Sequence, residues 1–120
     1  MRNESKEGVF ACGQLLGTWA DIELHKVTEL ISRKLVSGEC QTLAQVYLKR
    51  GALVPRHSHK SEQLVYVLEG ALKVRIDQEN LIVREGQVLR IPVGVPHQME
   101  ALADTFELDL LSFGREERVV

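Results

Sequence analysis

The chain has 120 residues, of which 44% are hydrophobic and 27% are charged, and this is enough for one domain with its own core. Its formal net charge is only -2, and basic residues are mixed with acidic ones along the whole length. The composition therefore offers no basic stripe for nucleic acid and no polybasic patch for a membrane surface. Apolar runs stay far below the roughly eighteen residues that a bilayer span needs, so we expect neither a nucleic-acid partner nor a membrane span.

The N-terminus and the cysteines set the expected location. The opening segment MRNESKEG is polar and lacks an apolar signal region. Cys12 and Cys40 lie far apart and match no metal-binding spacing, which predicts free thiols in a reducing compartment. A cytoplasmic location is the default expectation.

The first part of the chain is predicted to be an arm followed by an edge strand. Glycines interrupt the apolar residues that precede Trp19, and this favours irregular structure over a helix, with Trp19 anchoring the arm. Residues 21–36 carry both helical and strand spacings, and the strand-rich sequence downstream favours strand. We predict an arm over residues 1–26, one barrel or sandwich domain over residues 27–114 and a tail over residues 115–120.

Short strands dominate the rest of the chain. Apolar and polar residues alternate in the segments TLAQVYLKRG and ALKVRI, as they do in half-buried strands. Glycine, proline, asparagine and acidic turns separate the candidate strands, and turns are expected at residues 37–39 and 78–80. This spacing is typical of an all-β sandwich or barrel. The further candidate strands cover residues 63–68, 72–76, 81–83, 88–91, 97–102 and 105–111.

Four side chains with metal-binding chemistry lie in two glycine-framed segments. His57, His59 and Gln63 fall within residues 51–70, and His97 follows a turn rich in proline and glycine. Residues two apart on a strand point to the same side, so His57 and His59 are expected to direct their imidazoles at one point. Gln63 is expected on the neighbouring turn or strand start. A single HxH pair is a weak signal, whereas the combination predicts a metal site.

The two segments resemble the signature motifs of the cupin family. The spacings are G-x5-H-x-H-x3-Q-x6-G from residue 51 and G-x5-P-x-G-x2-H from residue 86, and the likeness includes the 15 residues between them. The resemblance implies an all-β fold, the double-stranded β-helix or jelly-roll barrel of cupins, with an N-terminal arm. It also implies one divalent metal ion held by His57, His59, Gln63 and His97.

Two positions depart from the family pattern. Gln63 stands where the first motif usually has glutamate, and Ala101 stands where the second usually has asparagine. The neighbouring Glu62 is one residue out of frame and is expected to face away. Three neutral imidazoles and an amide leave the charge of the ion uncompensated, which strengthens it as a Lewis acid and favours anionic, oxygen-rich ligands. The set is compatible with Zn, Ni, Mn or Fe.

The last predicted strand has one apolar face and one mixed face. Phe106, Leu108 and Leu110 share one side, whereas Glu107, Asp109 and Leu111 share the other. If the second side lines the barrel interior, Asp109 points into the metal site, where it could act as a base. If it lies on an outer surface, Asp109 is a solvated residue. The alternation leaves both possibilities open.

A narrower resemblance concerns the segments HSHKSEQLVYVLEG and DLLSFGREE. They are similar to the small cupins of pectin and alginate breakdown that open unsaturated uronates to linear keto sugars. Carried over position by position, the resemblance makes Asp109 the catalytic aspartate and Arg115 the substrate-binding arginine. The aromatic residue of that family falls on Leu111, and its SPP turn is SFG here, which leaves the substrate open.

Three functions follow as hypotheses. The first is a metal-dependent lyase or isomerase acting on a small sugar acid, with Asp109 moving the proton and Arg115 pairing the carboxylate. The second is an Fe-dependent dioxygenase. The third is a non-catalytic sugar-binding or sensing cupin, including a barrel whose site holds no ion. A homodimer is also expected, because a short barrel with an arm has open sheet edges that pairing across a two-fold axis would cover.

Overall fold

Two antiparallel sheets account for the ten strands of the computed structural model, which describes residues 13–113. The expected all-β jelly-roll architecture is confirmed. A short 3-10 turn at Trp19–Asp21 precedes the strands. The strands are β1 (His25–Lys26), β2 (Ile31–Ser37), β3 (Gln41–Leu48), β4 (Leu53–His57), β5 (Glu62–Glu69), β6 (Ala71–Ile76), β7 (Glu79–Arg84), β8 (Val88–Ile91), β9 (His97–Ala101) and β10 (Thr105–Ser112).

The larger sheet has the strand order β1-β2-β3-β10-β5-β8, and the smaller has the order β4-β9-β6-β7. Strands that are distant in sequence are therefore neighbours in both sheets. In the smaller sheet β4 pairs with β9, so that His57 lies opposite His97. In the larger sheet β10 lies between β3 and β5. This topology brings the two halves of the predicted metal site to one end of the barrel and places β10 beside them.

The core lies between the inner faces of the two sheets. Val65 and Val67 from the larger sheet and Leu72 and Val74 from the smaller are fully enclosed. Burying such a side chain contributes about 1.5–3 kcal/mol, which makes this layer the main source of stability. The alternation predicted for β6 is confirmed, because Lys73 and Arg75 are exposed whereas Leu72 and Val74 are buried.

Gly70 carries the chain from the larger sheet to the smaller. It lies between β5 and β6 with a φ of +94°. A Cβ atom there would stand 2.5 Å from the Asp104 carbonyl oxygen and 2.5 Å from Oγ1 of Thr105. Only glycine allows both this backbone conformation and this close approach. The last glycine of the first motif is therefore a requirement of the fold.

The N-terminal region differs in detail from the prediction. Residues 21–36 form two strands, β1 and β2, separated by a turn, and the Lys34 ammonium group donates to the Trp19 carbonyl oxygen over 2.7 Å.

The hairpin between β6 and β7 turns at Asp77 and Gln78, one residue earlier than expected, since Asp77 adopts a φ of 52°. The proposed boundaries at residues 26 and 114 stay predictions. Within residues 13–113 no helix is long and apolar enough to cross a membrane.

Candidate active site

Three histidines form a cluster at one end of the barrel. One ring nitrogen from each of His57, His59 and His97 lies within 4.8 Å of the other two. The ring centroids are 4.3 Å apart for His57 and His97, 4.9 Å for His59 and His97, and 5.4 Å for His57 and His59. Three imidazoles at this spacing can hold a metal ion.

The two histidines of the first motif do not share a strand, in contrast to the prediction. Strand β4 ends at His57, and His59 lies in the turn that leads to β5. The strand ends there because the chain leaves the smaller sheet for the larger. His59 is directed toward its neighbours by the turn itself, in which its Nδ1 lies 2.9 Å from the Ser61 carbonyl oxygen and 3.1 Å from the Ser61 hydroxyl.

Each imidazole of the cluster has the same relation to the backbone. Nδ1 lies 2.8 Å from the carbonyl oxygen of Pro55 in His57, and 2.9 Å from that of Val95 in His97. His59 makes the equivalent contact with Ser61. Because a carbonyl oxygen can only accept, Nδ1 carries the hydrogen and Nε2 keeps a free lone pair. Metal-binding histidines are oriented in this way in proteins.

His97 has the strongest indication of an ion-binding role. Its ring is fully buried, and its Nε2 has no hydrogen-bond partner within the described part of the chain. Burial lowers the pKa of His97, and the positive charges that His57 and His59 would carry lower it further. A buried nitrogen that stays neutral and unpaired is costly unless an electrophile uses its lone pair. A divalent cation fits this position.

Gln63 provides a fourth donor beside the histidines. It is buried in β5, where its amide nitrogen donates to Oδ2 of Asp109 over 3.1 Å. Its Oε1 lies 3.1 Å from Nε2 of His59. Both of those atoms carry lone pairs when His59 donates through Nδ1, so a cation between them would use both. The glutamine was expected at the start of a strand, and it is the second residue of β5.

Glu62 faces away from the site, as the alternation predicted. Its carboxylate pairs with Arg90 on the outer surface, at 2.6 Å. The side chain is therefore engaged on the opposite face of β5 from Gln63.

Asp109 lines the barrel interior, which decides between the two possibilities left open by the sequence. It is 8% exposed, and it lies opposite Ala44 of β3 and Val65 of β5 on the inner face. Burial raises the pKa of Asp109, while hydrogen bonds with Glu107 and Gln63 and the charge of Arg33 act in the opposite direction. The carboxyl therefore lies next to the histidine cluster and lines the cavity.

Glu107 is a second buried carboxyl on the inner face of β10. The alternation in the sequence predicted that it shares a face with Asp109 but indicated no role for it. It is 2% exposed, and its Oε1 has no partner within residues 13–113. Burial raises the pKa of Glu107 well above its usual value, and the charge of Asp109 and a hydrogen bond with Asp109 raise it further. Glu107 and Asp109 are two residues apart on β10, and this period of two was the sequence signal that both side chains lie on one face.

A cavity of about 300 Å³ joins these groups. Such a volume is at the lower end for ligand pockets and suits a single small molecule. Its wall is mostly apolar and includes Leu111, the position where the resembled family has an aromatic residue. Arg33 of β2 also lines the cavity, although nothing in the sequence pattern singled it out. Arg115 lies outside the described residues.

The chain belongs to the cupin family. Residues 44–114, more than half of the sequence, match the family described as Cupin domain. The match includes all four predicted metal ligands and Asp109. Together with the two-sheet barrel, it confirms the resemblance that the two motifs indicated.

Three known proteins illustrate what the chain is similar to. An uncharacterized protein of Methanocaldococcus jannaschii is 30% identical over 79 residues, which are 65% of this chain and 63% of that protein, so the chain spans less than two thirds of its length. The crystal structure of an RmlC-like cupin from Shewanella frigidimarina has a TM-score of 0.78 at 20% identity, covering 88% of this chain and 96% of that one. The structure of KdgF from Halomonas sp. has a TM-score of 0.73 at 28% identity, covering 82% and 94%.

Proposed function

We propose that this cupin is a metal-dependent lyase or isomerase that acts on a small sugar acid, with ring opening of an unsaturated uronate as its reaction. The observation that carries the proposal is the buried carboxyl of Asp109, which accepts a hydrogen bond from Gln63 and lines the same cavity as the histidine cluster. A buried carboxyl with a raised pKa beside a candidate metal site is the kind of group that acid–base catalysis uses.

The proposed metal site consists of His57, His59, Gln63 and His97. Their donors fit one divalent ion of the Zn, Ni, Mn or Fe kind, because three Nε2 lone pairs and an amide oxygen converge on one region. The bound ion would polarise a hydroxyl or carbonyl oxygen of the substrate. Gln63 is held by Asp109, so its oxygen remains directed toward the histidines.

Asp109 is the proposed proton-transfer group. Ring opening of an unsaturated uronate removes the proton of the anomeric hydroxyl, which becomes the aldehyde carbonyl as the bond between C1 and the ring oxygen breaks. The enolate that is left takes up one proton on carbon and becomes the ketone. One carboxyl with a raised pKa can accept the first proton and return the second. Burial, the charge of Asp109 and a hydrogen bond with Asp109 raise the pKa of the adjacent Glu107. The two carboxyls together therefore favour holding one proton between them.

The substrate class follows from the motifs and the size of the cavity. The segments around His57 and Asp109 resemble those of the uronate-linearising cupins, and the match to KdgF supports the same assignment. A cavity of about 300 Å³ accommodates one sugar acid and not a polymer. The resemblance assigns the substrate carboxylate to Arg115.

Elemental analysis followed by a substrate panel tests the proposal. The purified protein is expected to contain a divalent metal and to consume unsaturated uronates, with loss of their enol-ether absorbance, while saturated uronates remain unchanged. Removal of the metal by a chelator should abolish turnover, and its return should restore it. Oxygen consumption only with Fe(II) would instead indicate a dioxygenase. Binding of sugar acids without any turnover would indicate a sensing barrel.

A further inference from the structure

Arg33 occupies an unusual position on the inner side of β2. It is opposite Val46 of β3, and Val46 is in turn opposite Glu107 of β10. The three residues form one row across the sheet, and all three line the cavity. Neighbouring strands are about 4.8 Å apart, so the backbones of Arg33 and Glu107 are separated by roughly 10 Å. Arg33 therefore lies two strands away from the strand that carries the two buried carboxyls, near the edge of the sheet.

Within the described residues, the guanidinium group of Arg33 forms neither a salt bridge nor a hydrogen bond. Among the described residues that line the cavity, Arg33 is the one lysine or arginine. It makes no ion pair or hydrogen bond with another residue of the range 13–113, and its side chain is exposed at the opening. The positive charge of Arg33 is close enough to act on the carboxylate of Asp109. A guanidinium at a ligand-sized cavity, with its N–H groups not used by another described residue, can donate hydrogen bonds to an anionic group of a ligand.

A carboxylate is the anionic group that a sugar acid would present to Arg33. Guanidinium groups present a planar fork that matches the two oxygens of a carboxylate. A sugar acid whose hydroxyls face the histidine cluster would extend its carboxylate toward the far side of a cavity of this size. Arg33 supplies a positive charge to the cavity wall, whereas the neighbouring Leu35 and Val46 are apolar.

We propose that Arg33 binds the carboxylate of a small sugar acid at the opening of the metal cavity and thereby sets the preference for acidic over neutral sugars. This inference rests on the proposed function for the class of ligand, and it assigns the carboxylate to a second residue besides Arg115. Arg33 acts on binding, whereas Asp109 acts on the proton. The two roles therefore separate experimentally.

Binding to matched pairs of ligands provides the test. Titration calorimetry on the metal-loaded full-length protein would compare glucuronate, galacturonate and mannuronate with their methyl esters, which have the same hydroxyls and no carboxylate charge. We expect at least one acid to bind more tightly than its ester. Arg33→Gln should weaken binding of the acid by roughly 10-fold and leave the ester unchanged, because a partly exposed charge-assisted contact is lost. Arg33→Lys should keep part of the preference, since it keeps the charge but not the fork.

Arg75→Gln is the matched control. Arg75 is on the outward face of β6, it also lacks an ion pair within the described range, and its replacement removes the same charge. It should leave the ratio of acid to ester affinity unchanged. Thermal unfolding of each variant shows whether the fold is intact.

Three results would overturn the inference. One is an unchanged acid-to-ester ratio in Arg33→Gln while Arg115→Gln loses it, which would give the carboxylate to Arg115 alone. Another is an equal change for acid and ester, with a shifted pH profile, which would mean that Arg33 acts only through Asp109. The third is a parent protein that binds no acid more tightly than its ester.

The outcome for Arg33 is separate from the outcome for the proposed enzyme. An Arg33-dependent preference for acids in a protein without turnover supports the inference and refutes the lyase. Turnover of unsaturated uronates that is insensitive to Arg33→Gln supports the lyase and refutes the inference.

Discussion

The amide nitrogen of Gln63 donates a hydrogen bond to Oδ2 of Asp109 over 3.1 Å, and this bond connects the histidine cluster to the buried carboxyl. Because the nitrogen faces Asp109, the amide oxygen faces His59. The same bond stabilises the ionised form of Asp109, against the effect of burial. Gln63 stands where the first motif usually has glutamate. An ionised glutamate could also direct an oxygen toward His59, but it could not donate a hydrogen bond to Asp109.

Gln63→Glu tests this relationship. The new carboxylate should bind the metal ion more tightly, because it neutralises part of the ionic charge, but it cannot donate to Asp109. Two carboxylates facing each other should raise the pKa of Asp109 further. We expect turnover to fall by roughly 10- to 100-fold, as is usual when a group that orients the site is lost. Metal titration and steady-state rates measure the two effects.

The control for this variant is Glu62→Gln. Glu62 is the preceding residue, and it pairs with Arg90 on the outer surface. Its replacement should change neither metal affinity nor rate. Weaker metal binding by Gln63→Glu would contradict the role of Gln63 as a ligand.

Removal of a histidine should empty the metal site. We expect His59→Ala and His97→Ala to purify with little or no metal, since each removes one of the three converging imidazoles. Metal affinity of the parent protein should fall as the pH drops below about 6.5, because protons compete for imidazole nitrogen. The lowered pKa of His97 keeps that ring neutral to a lower pH than an ordinary histidine. Elemental analysis and metal titration at several pH values provide the measurement, with His25→Ala as an exposed control. Full occupancy in either site variant would refute the assignment.

Asp109→Asn should separate proton transfer from binding. The amide has the same shape, and its oxygen can still accept the hydrogen bond from Gln63, so the fold and the metal should remain. Turnover should fall by roughly 10²–10⁴-fold, as is typical when a general base is lost. Ligand affinity measured by calorimetry should change little. An unchanged rate would exclude Asp109 as the proton-transfer group.

Glu107 should make the metal-free protein less stable as the pH rises. Burial raises its pKa in the folded chain well above the ordinary value of 4.5, so the folded state holds a proton that the unfolded state has released. The stabilisation is complete below about 4.5 and is lost as the pH rises through the higher folded value, at a rate of at most about 1.4 kcal/mol per pH unit. Glu107→Gln should remove this dependence and become more stable than the parent at neutral pH.

Thermal or urea unfolding between pH 4 and 8 measures the difference. Glu69→Gln, which changes an exposed carboxyl at the end of β5, is the matched control and should follow the parent. Parallel curves for the parent and Glu107→Gln would show that Glu107 is ionised in the folded protein.

The homodimer remains a prediction based on open sheet edges. Two edge strands of the described range carry exposed apolar side chains. Val88 on β8 is 59% exposed, and Ile82 on β7 is 44% exposed. Light scattering at micromolar concentration should give twice the 13.5 kDa chain mass. Val88→Lys or Ile82→Lys should shift the population toward monomer if its strand lies in the interface, because edge charges oppose pairing. A monomeric mass for the parent protein would contradict the prediction.

The sequence by itself was enough to predict the fold class and the candidate metal ligands. Their chemistry is carried by local spacing, with two histidines and a glutamine between glycines, and a third histidine after a proline turn. One of these glycines, Gly70, has a conformation that other residues rarely adopt, so the motif also determines where the chain changes sheet. Alternation along β6 was likewise sufficient to predict its buried face.

Only the tertiary structure decided which face of β10 is inside. The outer face carries Phe106, Leu108 and Leu110, and the inner face carries Glu107 and Asp109, so hydrophobicity alone would favour the wrong side. A period of two defines two faces of a strand, but the pairing of β10 between β3 and β5 determines which of them is enclosed. The position of His59 in a turn has a similar cause, because the end of β4 is imposed by the crossing between sheets. Arg33 lines the same cavity as Gln63, although β3 and β10 lie between their strands in the sheet. No local sequence pattern predicts this position, because it depends on the pairing of β2 with β3.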